Sequence, residues 1–166
     1  MSVLYFAYGS NMSVGRLEGR IVSCRRIGLG ILFEHRLAFH KVSSVDGSGK
    51  CDAHFTGLNT DKIIGVLYRV VESDLAILDE IEGVGCGYER STVTICRLTG
   101  KALAAETYHA THIDSTLKPL HWYLEHVLQG ARENRMPDDY IRCLESVPCV
   151  VDANRLRTDR ELSVYS

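Results

Sequence analysis

Apolar residues along this chain gather in short strand-like runs broken by glycines and polar turns over most of the first 110 residues, and the final third turns to a helical period. Residues 3–8 form an apolar run that reads as a first strand and breaks abruptly at Gly9-Ser10-Asn11. Residues 13–20 fit a short helical turn with Ser13 as its N-cap. From Ile21 to Val42 the chain is aliphatic and aromatic, broken by Gly28 and Gly30; it reads as two strands or one long bent strand. Residues 43–52 are polar and glycine-rich, the clearest loop in the chain. Strands are expected at 53–58 and 63–70, joined by a hairpin-like turn at "NTDK".

Leu75, Leu78 and Ile81 then mark one face of a short helix, with Ser73 as N-cap, Asp74 in its first turn and Gly83 as its stop. Two strands, 88–98 and 101–110, flank Thr99-Gly100. Leu120, Leu124, Val127, Leu128 and Ala131 define an amphipathic helix ending near Asn134, and Pro137 opens a further one. The stretch after Pro148 lacks periodicity and is expected to be loose or packed over the surface. Strands first and helices last predict an α+β fold with a small, mostly antiparallel, barrel-like sheet.

Composition narrows the function without naming it. The length, 166 residues, is that of one domain, 1–166, with residues 150–166 as its tail. A net charge of −2 with scattered Lys and Arg argues against nucleic acid as a partner. No apolar stretch is long enough to span a membrane, and no basic segment precedes the first apolar run, so the expected compartment is the cytoplasm. Cys24, Cys51, Cys86, Cys96, Cys143 and Cys149 form no C-x-x-C pair, and are expected to be reduced, mostly buried thiols rather than metal ligands. His109 and His112, on a strand or loop, do not converge on one metal. Phosphate-binding, dinucleotide-binding and G-x-S-x-G signatures are absent.

Three segments together carry a resemblance: "YFAYGSNM" near the start, "GVLYRVVESDLAILDEIEGVGCGYER" in the middle and "YLEHVLQGARENRMPDDYIRCL" near the end. Taken in that order, the chain resembles the γ-glutamylcyclotransferase family from about Val3 to Val147. "FAYGSNM" is similar to the branch acting on γ-glutamyl amino acids. The resemblance implies a small barrel flanked by helices, often a homodimer. It also implies conversion of a small-molecule γ-glutamyl compound to 5-oxoproline and a released amine, with no cofactor and no metal. Glu82 then corresponds to the acid/base residue. Tyr5, Phe6, Ala7, Tyr8, Gly9, Ser10 and Asn11 correspond to the substrate-binding loop, and Tyr123 to a binding tyrosine. Tyr88 is a further aromatic able to line the pocket.

The chemistry is consistent with these residue types. The α-amine of a γ-glutamyl unit is itself the nucleophile, and its attack on the γ-carbonyl closes a five-membered ring. Orienting such a pair is worth roughly 7–11 kcal/mol, which removes the need for a nucleophilic Ser or Cys. The protein has three tasks: bind the α-carboxylate, stabilise the oxyanion, and carry a proton from the attacking amine to the leaving one. Backbone N–H groups at Gly9-Ser10-Asn11 suit the first two. A carboxylate that burial and a helix C-terminus make more basic suits the third. Two other readings share these residues: removal of a γ-glutamyl protecting group from a larger biosynthetic intermediate, and a non-catalytic γ-glutamyl-binding module. The 43–52 loop and Cys86, beside Glu82 in sequence, have no assigned role at this level.

Overall fold

The structure is a computed structural model describing residues 1–166. In chain order its elements are β1 (Ser2–Ala7), α1 (Val14–Glu18), β2 (Cys24–Phe33), β3 (His35–Val42), β4 (Gly49–Phe55), β5 (Lys62–Val71), α2 (Glu72–Glu82), β6 (Tyr88–Arg97), β7 (Ala102–Ala110), α3 (His121–Glu133), α4 (Asp138–Glu145) and α5 (Arg155–Leu162). Five strands close a barrel in the order β1-β5-β2-β6-β7. All neighbours run antiparallel except β7 and β1, which meet in parallel at Tyr5 and Glu106. The expected α+β barrel with flanking helices is therefore present, closed by one parallel seam.

β3 and β4 leave the barrel as a separate two-stranded ribbon. "NTDK" consequently joins β4 and β5 without pairing them, so it is not the hairpin turn that its composition suggested. The presumed 43–52 loop is also shorter, because β4 starts at Gly49, where a side chain would collide with the Phe39 carbonyl oxygen. What remains is a tight turn: the Asp46 carboxylate accepts from the Ser48 N–H and hydroxyl at 2.9 and 2.6 Å. The Ile21–Val42 stretch resolves into two strands. Gly28 makes the bulge, shifting the register against β5, whereas Gly30 sits under the Ile95 side chain.

The core fills the barrel and spreads under α3. Phe6, Leu67, Tyr68 and Ile95 are fully buried, and Val127 and Ala131 of α3 join the same cluster. Each large apolar side chain so buried contributes about 1.5–3 kcal/mol. α2 follows β5 with no intervening loop, so its N-cap is Val71 and the expected Ser73 lies one residue inside the helix. The Asp74 carboxylate meanwhile accepts from the N–H and hydroxyl of Ser23, tying α2 to the start of β2. Ser13 does cap α1, accepting from Arg16 N.

The segment after Pro148 is packed over the surface as α5 and a final short turn. Glu161 reaches Arg16 at 2.8 Å, Asp152 accepts from the Trp122 indole at 2.8 Å, and the Tyr165 hydroxyl contacts the buried ring of His126 at 2.6 Å.

Candidate active site

The first side of the site is the break after β1. Gly9 packs against β4 so closely that a Cβ there would stand 2.9 Å from the Cβ of Cys51. Beyond it the chain makes one tight turn, with Met12 N donating to the Gly9 carbonyl at 3.0 Å. The backbone N–H groups of Gly9, Ser10 and Asn11 donate to no protein acceptor. Three consecutive free donors in a buried turn form a concavity suited to an anion or a developing oxyanion.

The second side is the end of α2. Gly83 adopts a left-handed conformation, φ 73°, and stops the helix one residue after Glu82. Glu82 Oε1 accepts from Asn11 Nδ2 at 3.0 Å and from Arg20 Nη1 at 2.8 Å. The same Asn11 nitrogen donates to the Tyr5 hydroxyl at 3.0 Å, and Arg20 also donates to Asn11 Oδ1 at 2.9 Å. Asn11 is thus clamped by Arg20 and Tyr5, and in turn fixes where the Glu82 carboxylate points.

Between the two sides lies an open cleft. Tyr5, Tyr8, Tyr88, Tyr108, Tyr123 and Cys51 form its walls. Burial, the largest influence on each of the five phenols, raises them all, so they stay protonated at neutral pH. Burial likewise pushes the Cys51 thiol up to about 12, making it a neutral wall rather than a nucleophile. Two tyrosines fasten β4 to the cleft: Tyr123 accepts from Cys51 N at 3.0 Å, and Tyr88 donates to the Cys51 carbonyl. Tyr108 donates to Asp79 at 2.9 Å.

A larger chamber of ≈ 370 Å³ opens outside the cleft, sharing Ser10, Glu82, Tyr88 and Tyr123 with it. Glu82 therefore stands at the junction of an inner aromatic cleft and an outer charged chamber.

Of the residues singled out in the sequence, Tyr5, Tyr8, Gly9, Ser10, Asn11, Glu82 and Tyr123 meet at this cleft, and Tyr88 joins them. Phe6 and Ala7 do not line it. The Phe6 ring lies over Gly65 in the barrel core, and its carbonyl accepts from the Thr107 hydroxyl at 2.9 Å. Arg20, Cys51 and Tyr108 were missed. Arg20 stands in an unremarkable turn and Tyr108 on an ordinary strand, so neither carries a local signal. The thiols also differ from expectation: Cys51 is buried, whereas Cys86, Cys143 and Cys149 are exposed. For a metal, His40, Asp52 and His54 bring one ligand atom each within 4.8 Å of one another. They lie on the β3–β4 ribbon and line neither chamber, and His40 already contacts Asp52 at 2.7 Å.

Comparison with known proteins decides the family. Residues 62–144 match the model of the AIG2-like family. The chain is 31% identical over 154 residues to the γ-glutamylcyclotransferase of Bos taurus, covering 88% of this chain and 79% of that protein. Against the Homo sapiens γ-glutamylcyclotransferase it is 30% identical over the same shares. This chain belongs to the γ-glutamylcyclotransferase family. Its fold agrees throughout: a solved γ-glutamyl cyclotransferase superposes with a TM-score of 0.84 at 26% identity, covering 96% of this chain and 99% of that one. A Homo sapiens crystal structure described as an uncharacterised protein gives a TM-score of 0.85, also at 26% identity, over 99% of both chains.

Proposed function

We propose that this protein converts a γ-glutamyl compound to 5-oxoproline and a free amine, with Glu82 carrying the proton. The observation that supports it most is the placement of Glu82 Oε1, held by Asn11 and Arg20 opposite three unpaired backbone N–H groups. In this reading the γ-glutamyl unit folds into the aromatic cleft. Its α-amine attacks the γ-carbonyl carbon, forming the ring C–N bond while the carbonyl electrons move onto oxygen. The N–H groups of Gly9, Ser10 and Asn11 stabilise that oxyanion and hold the α-carboxylate. Glu82 accepts the proton released by the attacking nitrogen and delivers it to the leaving nitrogen. The oxyanion then collapses, the old C–N bond breaks, and 5-oxoproline and the amine separate.

The neutral tyrosines give the cleft a low-dielectric wall in which donors act more strongly than in water. Tyr123 and Tyr88 hold β4 in place behind the substrate. The same reading makes residues 1–166 one catalytic domain of a cytoplasmic enzyme.

The test is 5-oxoproline release from γ-glutamyl dipeptides, glutathione, γ-glutamylamines and a γ-glutamyl acyl intermediate. Release of 5-oxoproline and amine in equal amounts supports the reading. Binding without release from any member would favour a γ-glutamyl-binding module instead.

A further inference from the structure

The outer chamber is rich in charge, and almost all of it is already paired. Arg16 contacts Glu161 at 2.8 Å, Arg20 contacts Glu82 at 2.8 Å, Lys50 contacts Asp46 at 2.9 Å, and Arg157 contacts Asp152 at 2.5 Å. Arg160 approaches Glu161 at 3.8 Å, with a side chain 75% exposed to water. Lys41 differs from all of these. It is only 8% exposed, lines the chamber, and forms no ion pair.

The fold makes specific room for this lysine. Its ammonium lies 4.7 Å from the centre of the Tyr88 ring, the wall common to cleft and chamber. Gly87 passes directly above, where a Cβ would come within 2.9 Å of Lys41 Cε and 3.1 Å of Nζ. Burial is the largest influence on the ammonium and lowers its basicity, with Glu82 and Asp46 acting in the opposite direction. A buried cation with no ion-pair partner, on the wall shared by cleft and chamber, favours an anionic group on the bound ligand.

We propose that Lys41 is a specificity-determining residue that binds a carboxylate on the leaving amine. The assignment rests on the cyclotransferase reading above. In that reading the γ-glutamyl unit occupies the inner cleft, and the leaving group passes Glu82 into the chamber that Lys41 lines. One cation with no ion-pair partner, felt by Glu82 and Asp46 and in a chamber that Glu80 and Glu161 also line, matches a monoanion such as a carboxylate. The same acids disfavour a phosphate or polyphosphate.

The decisive substrates are γ-glutamyl-alanine and γ-glutamyl-ethylamine, whose leaving groups differ by one carboxylate. For the parent protein, kcat/KM for γ-glutamyl-alanine should exceed that for γ-glutamyl-ethylamine by roughly 10–100-fold, the effect of one charged hydrogen bond. In Lys41→Met that ratio should fall to about one, and Lys41→Arg should restore part of it. A purely structural role would lower both rates together and leave the ratio intact, which would overturn the assignment. Equal rates in the parent would overturn it too, with the reaction itself still standing. Turnover of neither substrate, nor of the wider γ-glutamyl panel, would remove the reaction and Lys41's role together.

Discussion

At the residue scale, the candidate site depends on how tightly the turn after β1 packs against β4. Gly9 has no room for a side chain, since its Cβ would lie 2.9 Å from Cys51 Cβ and 3.2 Å from Sγ. Cys51 cannot yield easily, because its N–H and carbonyl are both held by tyrosines. Gly9→Ala should therefore cost about 1–3 kcal/mol of stability and displace the free N–H groups. Urea unfolding and 5-oxoproline release measured on one preparation should both fall. Full activity with unchanged stability would show that the turn tolerates movement.

Arg20 gives a second prediction at this scale. It donates to both Glu82 and Asn11, so its loss frees the carboxylate to swing. Arg20→Met should lower kcat by roughly 10–100-fold, the usual cost of mispositioning a reacting group by about an ångström. Steady-state kinetics decide it; a kcat equal to the parent's would detach Arg20 from the reaction.

At the element scale, the tail supplies a testable clasp. α5 brings Glu161 to Arg16 of α1 and to the buried His126 of α3, at 2.8 and 3.3 Å. Glu161→Gln leaves two polar partners without their carboxylate and should cost about 1–2 kcal/mol, read as a lower urea midpoint at constant slope. An unchanged midpoint would make the clasp energetically silent.

The same elements show what sequence patterning can and cannot convey. Apolar runs between turn residues located the barrel strands, and helical periodicity located α2 with its glycine stop and α3, because each buries apolar surface on the core. It could not see α5, whose helical residues are held by Asp152, Glu161 and the final turn rather than by a buried apolar stripe. Nor could it tell that β4 pairs with β3 instead of β5. An apolar run marks a strand without naming its neighbour, and strand partners are chosen at long range.

At the scale of the whole molecule, depressed carboxylates predict how stability responds to acid. Hydrogen bonds from Ser48 and Lys50 outweigh burial and hold Asp46 at about 2. For Glu161 the largest influence is the hydrogen bond with His126, and with Arg16 it brings the carboxyl to about 2. Both groups bind protons more readily when unfolded, so each stabilises the fold above a pH of about 4. That contribution is lost as pH falls from about 4 through 2. Both sites are part-exposed, and solvent screening keeps each effect modest. Thermal midpoints from pH 6 to 2 should decline chiefly in this window, and less steeply for Glu161→Gln. A parallel decline in both proteins would contradict the assignment.

Much of the candidate site was legible through the family resemblance, which the strand ending in Gly-Ser-Asn and the glutamate before a helix-stopping glycine carry together with the later helical motif; alone, each string reads as an ordinary turn or helix end. Arg20, Tyr108 and Lys41 were not, since each enters from a separate part of the chain and acquires its neighbours only when the barrel closes.

The central claim is that Glu82 moves the proton in 5-oxoproline formation. The most direct measurement is single-turnover release of 5-oxoproline by the parent protein and by Glu82→Gln, each with substrate affinity measured in parallel. The amide keeps an oxygen acceptor for Asn11 but is a far weaker base. The account predicts retained binding with the rate reduced by about 10²–10⁴-fold. A Glu82→Gln protein that binds and turns over at the parent's rate would contradict it.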